Sequence, residues 1–272
     1  MLQLTCSIVL YNTKPTVLTK VIESVLQSNL NVKLYLIDNS VTDDLRKFAC
    51  NGSTEYIFNN CNLGFGSAHN VALQKAPELA PYHLVLNPDI EFEKDVLEEI
   101  YHFMQKHKNV GQLMPKVFYE DGELQKLCHL VPSPFDLISR RFFQNQRWTK
   151  KLNDRYELKD FDYNQCANIP NLSGCFMFLR TEALKKVDGF DKRFFMYMED
   201  VDFTRRMHIL CETLYYPHVC ILHRFEKESY SNPQLLKYHI NSATKYFNKW
   251  GWFRDKERKI INEKTLHRLN LQ

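Results

Sequence analysis

The chain has 272 residues, of which 44% are hydrophobic and 25% charged, and its formal net charge is +4 at pH 7. This length and composition suit one large α/β domain with an appendage and exclude a disordered chain, and the net charge is too small to indicate nucleic-acid binding by itself. No stretch approaches the roughly 18 uninterrupted apolar residues of a membrane helix, and the N-terminus lacks the basic start and cleavage site of a secretory signal, so we expect a cytoplasmic protein.

The N-terminal third alternates between two hydrophobic periods. Residues 5–11 and 32–40 are short, nearly continuous apolar runs, which predict parallel strands buried on both faces. Residues 16–28 and 66–76 predict helices, and residues 82–89 predict a third strand. The order β-α-β-α-β requires a parallel sheet with right-handed crossovers.

The remainder of the chain predicts a mixed sheet. Residues 93–107 indicate a helix, and residues 111–127 indicate a hairpin that turns at Asp121 and Gly122. Residues 132–168 have weak periodicity, which indicates an insertion or a mobile region. The later elements are a strand at 174–180, a helix at 181–187, a loop leading into a helix over 189–210, strands at 213–217 and 218–223, and a helix at 234–249.

The eight cysteines contain no C-x-x-C pair, and several lie inside apolar runs. They are Cys6, Cys50, Cys61, Cys128, Cys166, Cys175, Cys211 and Cys220. We therefore predict reduced, buried core thiols rather than a zinc site or a disulfide framework.

Two acids follow predicted strand ends. Asp38 and Asp89 each come directly after a buried strand, and ligands of such sheets bind beyond the carboxyl ends of the strands. We therefore expect both side chains to point into one crevice. Asn87-Pro88-Asp89 is also a good turn starter, but an acid placed there can bind a hard divalent cation that bridges to phosphates.

The segment NLGFGSAHN, residues 62–70, places glycines just before a helix, where backbone groups can approach a nucleotide. It is not a dinucleotide fingerprint, because His69 stands where the third glycine belongs. His223 ends the apolar run 218–223, and a lone histidine in that place is as often structural as functional.

Three acids, Glu199, Asp200 and Asp202, follow directly after an aromatic cluster. Acids in a first helical turn interact favourably with the helix dipole, and Asp202 has the spacing to pair with Arg205 or Arg206. That interpretation explains Glu199 and Asp200 less well. Acids held against aromatic rings are partly desolvated, which is a common way to prepare a general base.

Two segments mix basic and aromatic side chains, residues 138–156 and the tail from Lys245. This mixture suits an anionic membrane surface or a nucleic acid. An ordinary solvated helix face with a few buried aromatics explains either segment equally well.

The ordered motifs SIVLYN, LIDNS, NLGFGSAHN, LNPDI, SGCFMFLRTEALKKVDGFDKRFFMYMEDVDFTRR and ILH resemble the inverting, GT-A type nucleotide-sugar glycosyltransferases of family 2. Within that family they are most similar to the bacterial O-antigen and capsule rhamnosyltransferases. The resemblance implies an α/β GT-A fold, with a Rossmann-like, mainly parallel mixed sheet flanked by helices. It implies a catalytic domain over 1–230 with a variable insertion at 132–168, and it leaves 231–272 as a basic-aromatic, helical C-terminal extension.

The resemblance also implies a nucleotide site. In the family pattern, Asp38 binds the nucleotide base, and Asn62, Gly64 and Asn70 lie close to the nucleotide. These four assignments come from the motif positions alone.

The chemical roles follow in the same way. The resemblance implies that Asp89 binds Mg²⁺ or Mn²⁺ on the diphosphate, with His223 as a further metal or phosphate contact. Asn87 stands where a first aspartate is common, which removes one negative charge and leaves the strictness of metal dependence open. Asp200 is implied as the general base and Glu199 as a helper in acceptor binding. The rings of Phe194, Phe195 and Tyr197 either stack on sugar faces or pack in the core.

The implied reaction moves a sugar from a nucleotide-sugar donor to a lipid-linked or polysaccharide acceptor in surface glycan synthesis. The preferred donor is thymidine diphosphate rhamnose, which supplies L-rhamnose. We expect peripheral contact with an anionic membrane and no nucleic-acid partner. A uridine diphosphate hexose or galactofuranose donor is the nearest alternative, and a non-catalytic sugar- or nucleic-acid-binding module is the alternative of another class. Nucleotidyl transfer ranks low, because YNTKPT offers only Lys14 for a phosphate.

Overall fold

The structure is a computed structural model that describes residues 1–49, 51–143, 146–224 and 233–271. Its strands are β1 (Leu4–Leu10), β2 (Val32–Asp38), β3 (Thr54–Phe58), β4 (Tyr82–Leu86), β5 (Ile90–Glu91), β6 (Val110–Phe118), β7 (Cys128–His129), β8 (Ala167–Asn168), β9 (Asn171–Leu172), β10 (Phe176–Arg180) and β11 (Glu212–His223). Its α-helices are α1 (Pro15–Leu26), α2 (Phe65–Leu73), α3 (Ala76–Leu79), α4 (Val96–Lys106), α5 (Pro134–Phe142), α6 (Arg147–Tyr156), α7 (Thr181–Val187), α8 (Glu199–Leu210), α9 (Pro233–Trp250) and α10 (Lys256–Arg268).

One mixed sheet forms the centre of the fold, in the order β3-β2-β1-β4-β10-β6-β11-β5, with β8 paired to β11. Strands β1 to β4 are mutually parallel, and β10 runs antiparallel to both of its neighbours. Helices cover both faces, so the predicted Rossmann-like mixed sheet is confirmed. The chain leaves β1 in one direction for β2 and β3 and returns on the other side as β4, which makes the carboxyl ends of β1 and β4 a topological switch point.

The apolar runs that predicted β1 and β2 are buried on both faces. Helix α1 covers one face with Leu18, Val21 and Val25, all fully buried. Helix α2 packs against the other face, where Tyr35 and Ile37 project. Burial of apolar area on both faces of the strands fixes this part of the sheet.

Strand β3 was missed by the sequence analysis, because it is an edge strand whose side chains are mostly half-buried and form no continuous apolar run. The turn at Asp121 and Gly122 is confirmed, since Gly122 has φ +84°. Its second arm is only a bridge between Phe118 and Leu124, so the expected hairpin is shorter than predicted.

The two strands expected over 213–223 form the single strand β11. Its pairing with β6 shifts register between Tyr216 and Cys220, around Pro217. Proline has no backbone N–H to donate to a ladder, so the strand is interrupted but not ended there.

The segment 132–168 contains two helices, α5 and α6, where the sequence indicated an insertion or a mobile region. Helix α5 begins with a capping box between Ser133 and Asp136. The two helices meet through small polar groups, with the Ser139 hydroxyl donating to Asn153 Oδ1 at 2.8 Å. The buried side of this pair carries few large apolar residues, which explains the weak periodicity of the sequence.

Buried charged side chains of α8 bind residues of the C-terminal helices and of the link between them. Arg205 is fully buried and donates to both carboxylate oxygens of Asp255, at 2.7 and 2.8 Å, while its guanidinium lies 4.0 Å from the Trp250 ring centre. Asp202 is also fully buried and accepts from Trp250 Nε1 at 2.8 Å and from Lys249 Nζ at 2.6 Å. The residues assigned to an extension therefore pack tightly on the helix that carries the acid cluster. The predicted boundary at 230 lies outside the described residues.

The seven cysteines in the described part of the chain are all free, as predicted, but their predicted burial is only partly right. Cys6, Cys128 and Cys175 are buried, whereas Cys61 and Cys166 are exposed. Cys220 is exposed because it lies in β11 next to the interrupted register, and Cys211 is partly buried; Cys50 lies outside the described residues. Within the described ranges, no helix combines the length and apolar character needed to cross a bilayer.

Asp255→Ala is expected to lower the free energy of unfolding by about 3–5 kcal/mol, because it leaves the Arg205 guanidinium buried without its bidentate partner. Burial alone would raise the pKa of Asp255, but hydrogen bonds from Arg205 and Arg258 hold it below its ordinary value. The difference from wild type should therefore be present at pH 7 and shrink only as the pH falls below about 4, where the unfolded-state aspartate takes up a proton.

Urea denaturation monitored by circular dichroism measures this difference. Glu257→Gln is the matched control, because Glu257 touches the same guanidinium at 3.1 Å but its side chain is 45% exposed. We expect this control to cost less than about 1 kcal/mol. An equal loss in the free energy of unfolding in the two variants would contradict a dominant contribution of the buried Arg205–Asp255 pair to stability.

Candidate active site

The predicted acids Asp38 and Asp89 lie at the same edge of the sheet. Pairing registers align Leu10 with Asp38 and Ile8 with Leu86, so β1, β2 and β4 end together. Asp89 follows β4 by three residues, and the two intervening strand spacings are about 4.8 Å each. Both acids therefore lie at the sheet edge where the switch point falls, and a shared crevice for their side chains stays a prediction.

Asp38 is fully buried and its carboxylate is held in place from two sides. Oδ1 accepts from Ser40 N at 2.8 Å, and Oδ2 accepts from the Tyr56 hydroxyl at 2.6 Å. Tyr56 in turn lies under the Arg46 guanidinium, 5.0 Å from the ring centre. Contact of Asp38 with a nucleotide base remains a prediction. A base bound there would also contact Tyr56 and Arg46.

Asp89 and His223, the two residues predicted to contact a metal ion or phosphate, lie next to each other. Strand β11 pairs with β5 so that His223 is opposite Ile90, and His223 Nε2 lies 3.5 Å from Asp89 Oδ2. The other ring nitrogen, Nδ1, lies 3.0 Å from Gln125 Oε1.

Gln125 determines which face of His223 points into the site. Its Nε2 donates to the backbone oxygens of His223 and Phe118 at 3.0 and 3.4 Å, which fixes its Oε1 as the acceptor and His223 Nδ1 as the donor. In neutral His223, the Nε2 lone pair then faces an Asp89 oxygen. Two acceptors at that distance are best accommodated by a proton or a cation between them. The pair therefore fits part of a cation site, with donor types that suit Mn²⁺ or Mg²⁺.

The described residues hold no group of three or more His, Cys, Asp or Glu side chains that could bind a metal ion by themselves. An incomplete protein site is the usual arrangement for Mg²⁺, which is commonly bound by one or two carboxylates together with substrate phosphates. Asp89 and His223 would thus need phosphate oxygens to complete the coordination.

Asp200 is joined to this edge through the backbone. Its Oδ2 accepts from Gly174 N at 3.0 Å, and the next carbonyl, that of Cys175, accepts from Asn87 N at 2.9 Å. A Cβ at Gly174 would lie 3.0 Å from the Asp200 Cβ, so a glycine permits this close approach. Burial, followed by the nearby charges of Asp89 and Asp200, raises the pKa of the Cys175 thiol to about 12.

Glu199 and Asp200 form a pair with unequal surroundings. Glu199 is 6% exposed, and burial, reinforced by the charge of Asp200, raises its pKa to about 8. Burial also raises the pKa of Asp200, but hydrogen bonds from the N–H groups of Gly174 and Val201 oppose the shift by stabilising its anion. Two buried carboxyl groups this close disfavour a second negative charge, and the two N–H donors favour the anion of Asp200.

The turn before α8 is strained. Tyr197 and Met198 both have φ +68°, a left-handed conformation that costs side-chain-bearing residues about 1–3 kcal/mol each. These two residues aim the first turn of α8 at the sheet edge. Strain of this kind concentrates at functional sites, and here it falls directly before the acid pair.

Gly64 brings α2 against the same loop. It has φ +79°, and a Cβ at this position would overlap the backbone of Phe195. Phe65 N donates to Phe195 O at 3.1 Å, and Asn62 Oδ1 accepts from Gly64 N at 2.9 Å. Asn39, which the sequence analysis did not single out, contacts Gly64 O and Asn62 Oδ1 at 3.3 and 3.4 Å.

Asn70 has a structural contact in the described chain. Its amide is paired with the backbone of Phe190 in both directions, with Nδ2 donating to the oxygen and Oδ1 accepting from the nitrogen at 2.8 Å each. Gly189 leaves the room that this requires, since a Cβ there would lie 2.5 Å from Asn70 Oδ1. Proximity of Asn70 to a nucleotide remains a prediction, with its amide already used to hold α2 to the 189–190 loop.

The three aromatic residues before the acid pair differ in their burial. Phe194 is fully buried and packs with Met198, so core packing is confirmed for this ring. Phe195 and Tyr197 are half-buried, and their rings lie 4.8 Å from Tyr238 and 5.2 Å from His239. Helix α9 thus lines this side of the site. The spacing prediction for Asp202 is also confirmed, because its Oδ2 accepts from Arg206 Nε at 2.8 Å.

The helices of residues 132–168 border Asp200. Tyr156 lies 3.5 Å from Asn171 Nδ2, next to the segment that leads to Gly174, and Arg140 lies 6.0 Å from the Tyr156 ring centre. Burial raises the pKa of Tyr156 to about 12; Arg140 opposes that rise, while Asp136 and Asp200 add to it. These contacts place α5 and α6 beside the segment that leads to Gly174, the residue whose N–H holds Asp200.

Three residues of the site were missed from the sequence: Asn39, Gln125 and Gly174. Asn39 follows Asp38 in the strand-end motif, and Gly174 is the first residue of a predicted strand, so both had a local signal. Gln125 had none, because its contact with His223 joins positions 98 residues apart.

Most of the chain is similar to one protein family. Residues 5–188 match the protein-family model for glycosyl transferase family 2. The N-acetylglucosaminyl-diphospho-decaprenol L-rhamnosyltransferase of Mycobacterium tuberculosis is 26% identical over 191 residues, which span 65% of this chain and 61% of that relative. The match thus reaches about three fifths of the relative's length.

Solved structures show the same fold. The crystal structure of GalNAc-T7 with UDP, GalNAc and Mn²⁺ superposes with a TM-score of 0.65 at 14% identity, covering 100% of this chain and 55% of that one. Staphylococcus aureus TarS 1-349 in complex with UDP-GlcNAc gives a TM-score of 0.60 at 14% identity, covering 98% and 72%. At these identities the likeness establishes the GT-A fold alone.

We expect Glu199 to titrate near pH 8. In Asp200→Asn the titration midpoint should fall towards the ordinary glutamate range, because the neighbouring negative charge is removed. Carbon NMR of protein labelled at the glutamate carboxyl carbon measures the midpoint. Asp188→Asn, a change at an exposed acid outside the site, should leave it in place. A Glu199 midpoint near 4 in wild type would show that the pair is solvated and not buried.

Proposed function

Because this chain belongs to glycosyl transferase family 2, we propose that it catalyses the inverting transfer of a sugar from a nucleotide-sugar donor to a hydroxyl group of a lipid-linked acceptor. One observation carries the proposal. The acid pair of α8 and the Asp89–His223 pair lie at one sheet edge, joined through the Gly174-Cys175 backbone. A base and a diphosphate-binding pair on opposite sides of one crevice are what a direct displacement requires.

Asp200 acts as the general base. An acceptor hydroxyl has a pKa far above 7 and must lose its proton as its oxygen attacks the anomeric carbon, and a positioned carboxylate that accepts this proton contributes about 10²–10⁴ in rate. Asp200 is the charged member of the pair, and its orientation is held by Gly174 N and Val201 N. Attack from the side opposite the leaving diphosphate inverts the anomeric centre, and no covalent enzyme intermediate is needed.

Glu199 stays protonated during this step. A neutral carboxyl next to Asp200 donates a hydrogen bond to a substrate oxygen and avoids a second buried negative charge. Gly66 lies against Glu199, with the position of its absent Cβ 3.5 Å from the Glu199 Cβ. Glu199 therefore lies between α2, on the proposed nucleotide side, and Asp200, on the proposed acceptor side.

Asp89 and His223 would hold a divalent cation on the donor diphosphate, where it supplies charge stabilisation for the leaving group. Gln125 orients His223 so that Nε2 faces the crevice. Asp38, with Tyr56 and Arg46, surrounds the proposed base of the nucleotide. Asn62, Gly64 and Asn70 belong to the same proposed nucleotide side.

Thymidine diphosphate rhamnose is the proposed donor, supported by the rhamnosyltransferase name of the Mycobacterium tuberculosis relative. The same name supports a sugar diphosphate carried on a polyprenol as the acceptor class. Uridine diphosphate sugars are the alternative donors, supported by the ligands in the names of the GalNAc-T7 and TarS structures. Release of the nucleoside diphosphate from a panel of nucleotide-sugars separates these donors.

Asp200→Asn should lower kcat by about 10²–10⁴ while the donor dissociation constant stays within about twofold of wild type, because the amide cannot accept the proton. Glu199→Gln imitates the protonated carboxyl. In this variant the fall of kcat on the acidic side of its pH profile should occur at the same pH as in wild type. A rate for Asp200→Asn that remained within tenfold of wild type would reject Asp200 as the base.

Asp89→Asn should raise the Mn²⁺ concentration needed for half-maximal activity more than tenfold, because one of the two proposed protein ligands loses its charge. Electron paramagnetic resonance of free Mn²⁺, titrated with protein and nucleoside diphosphate, gives the same comparison without turnover. Asp95→Asn, at an exposed position, is the control. Unchanged Mn²⁺ binding in Asp89→Asn would contradict the assignment.

We include peripheral contact with an anionic membrane in the proposal. Phe142 is 59% exposed, Trp148 is 61% exposed and Phe253 is 84% exposed, and basic side chains lie beside these rings on α5 and α6. Amphipathic surfaces of this kind bind through buried apolar area together with attraction to anionic lipids.

Liposome flotation tests this contact. Replacing Arg147, Lys150 and Lys151 by alanine should reduce recovery with anionic vesicles severalfold, whereas replacing the exposed Lys94, Lys106 and Lys108, at the two ends of α4, removes the same charge from outside both basic-aromatic segments and should have little effect. Equal losses from both triple variants would indicate attraction to net charge alone.

A further inference from the structure

An apolar groove between α5 and α9 is not used by the mechanism above. Its cavity volume is about 160 Å³. Ligand sites for whole small molecules usually enclose roughly 300–1,000 Å³, so this groove is too small for a nucleotide-sugar or a sugar diphosphate. Its lining is almost entirely hydrocarbon, and the residues that matter here are Leu137, Ile138, Phe142, Ile240, Ala243 and Trp252.

The inner end of the groove lies next to the turn that precedes the acid pair. Leu137 of α5 packs with Phe194 and Met198, and Met198 directly precedes Glu199. On the α9 side, the His239 ring lies 5.2 Å from the Tyr197 ring. The groove therefore begins at the strained turn that positions the base and runs from there to the exposed surface.

The outer end of the groove is open. Ile240 is 53% exposed, Phe142 is 59% exposed and Trp252 is 39% exposed, so large apolar surfaces from both helices face solvent together. Surface of this kind, continuous over several side chains, marks an interaction site on a protein that otherwise keeps its apolar groups covered.

Cations border the inner part of the groove. Arg141 lines it, and Arg140 lies beside Tyr156 and pairs with Glu157 at 3.0 Å. A linear chain that carries a diphosphate at one end has complementary chemistry. Its hydrocarbon fits the groove, and its anionic head can bind the guanidinium group of Arg141 in the groove lining and that of the neighbouring Arg140.

A second copy of this chain fits the groove poorly. An isologous contact through this face would bring the Arg141 guanidinium groups of the two copies towards each other. Like charges brought together at an interface oppose association. A flat bilayer would cover the outer rings but would not fill a recess that leads inward to Met198.

We infer that the groove between α5 and α9 binds the first segment of the acceptor's hydrocarbon chain, and that Arg140 and Arg141 contact the diphosphate which joins the chain to the acceptor sugar. This inference rests on the proposed transfer to a lipid-linked acceptor and adds where the lipid lies. The groove sets the distance between the chain and Asp200, so that the acceptor hydroxyl reaches the base.

The test combines crosslinking with kinetics. Farnesyl phosphate that carries a benzophenone on its chain is irradiated with the protein, and the attachment sites are mapped by mass spectrometry. We expect attachment to α5 and α9, a loss of at least fivefold in Ile240→Glu, and no change in Ile260→Glu. Ile260 is the matched control, because it is 51% exposed on α10 and lies outside the groove.

The kinetic arm compares two acceptors, N-acetylglucosaminyl diphosphate linked to farnesol or to ethanol. Ile240→Glu should raise KM for the farnesyl compound at least tenfold and leave KM for the ethyl compound within twofold. This difference follows because burial of each methylene contributes about fourfold to affinity. Neither Ile240→Glu nor Ile260→Glu should change the dissociation constant of the nucleotide-sugar donor.

Each contrary result has a defined meaning. Attachment spread over other surfaces, or equal loss in both isoleucine variants, overturns the groove. Attachment of a benzophenone-labelled phosphatidylglycerol bilayer to the inner lining residues Leu137 and Ala243, as strong as that of the farnesyl probe, shows a membrane-contact surface and overturns it as well. Concentration-dependent dimerisation that is abolished by Ile240→Glu identifies a second copy as the occupant. Absence of sugar transfer with normal crosslinking rejects the proposed function and leaves the groove in place.

Discussion

The site depends on one close contact, the hydrogen bond from Gly174 N to Asp200 Oδ2. It joins α8 to the start of β10, and β10 is aligned with β4 so that Phe176 lies opposite Leu86. Since the next carbonyl binds Asn87, the contact connects the acid pair to the turn that carries Asp89. A side chain at position 174 would push Asp200 away, because its Cβ would come within 3.0 Å of the Asp200 Cβ.

A second set of contacts holds α8 from behind. Arg205 and Asp202 are buried against α9 and α10, and their partners Asp255, Lys249 and Trp250 all lie in the C-terminal residues. The left-handed turn at 197–198 can persist because both ends of it are fixed. The C-terminal helices therefore support the catalytic helix as well as lining the groove beside it. Without them, Arg205 would lose its carboxylate partner, and Asp202 would keep only its pair with Arg206.

Much of this arrangement was predictable from the sequence, because parallel strands end at a common edge. That rule brought Asp38 and Asp89 together, and the spacing of α8 gave the Asp202–Arg206 pair. The sequence could not show that Asn70 would bind the backbone of Phe190, or that Gln125 would orient His223, since both contacts join distant positions. Helices α5 and α6 escaped prediction because they bury small polar groups such as Ser139 and Asn153. The tail was read as a separate extension, since charge patterns do not reveal that Arg205 is paired with Asp255.

The crevice has two sides with different chemistry. On one side, Asp38, Asp89 and His223 present groups suited to a nucleotide and its diphosphate, and on the other, α5 and α9 present hydrocarbon with cations at its inner end. The acid pair lies between them. A crystal structure with a nucleoside diphosphate and Mn²⁺ tests this division most directly. We predict Mn²⁺ bound by Asp89, His223 and the diphosphate, with Asp200 still bound to Gly174 N and facing the open side; a diphosphate bound away from Asp89, or on the α5–α9 side, would contradict it.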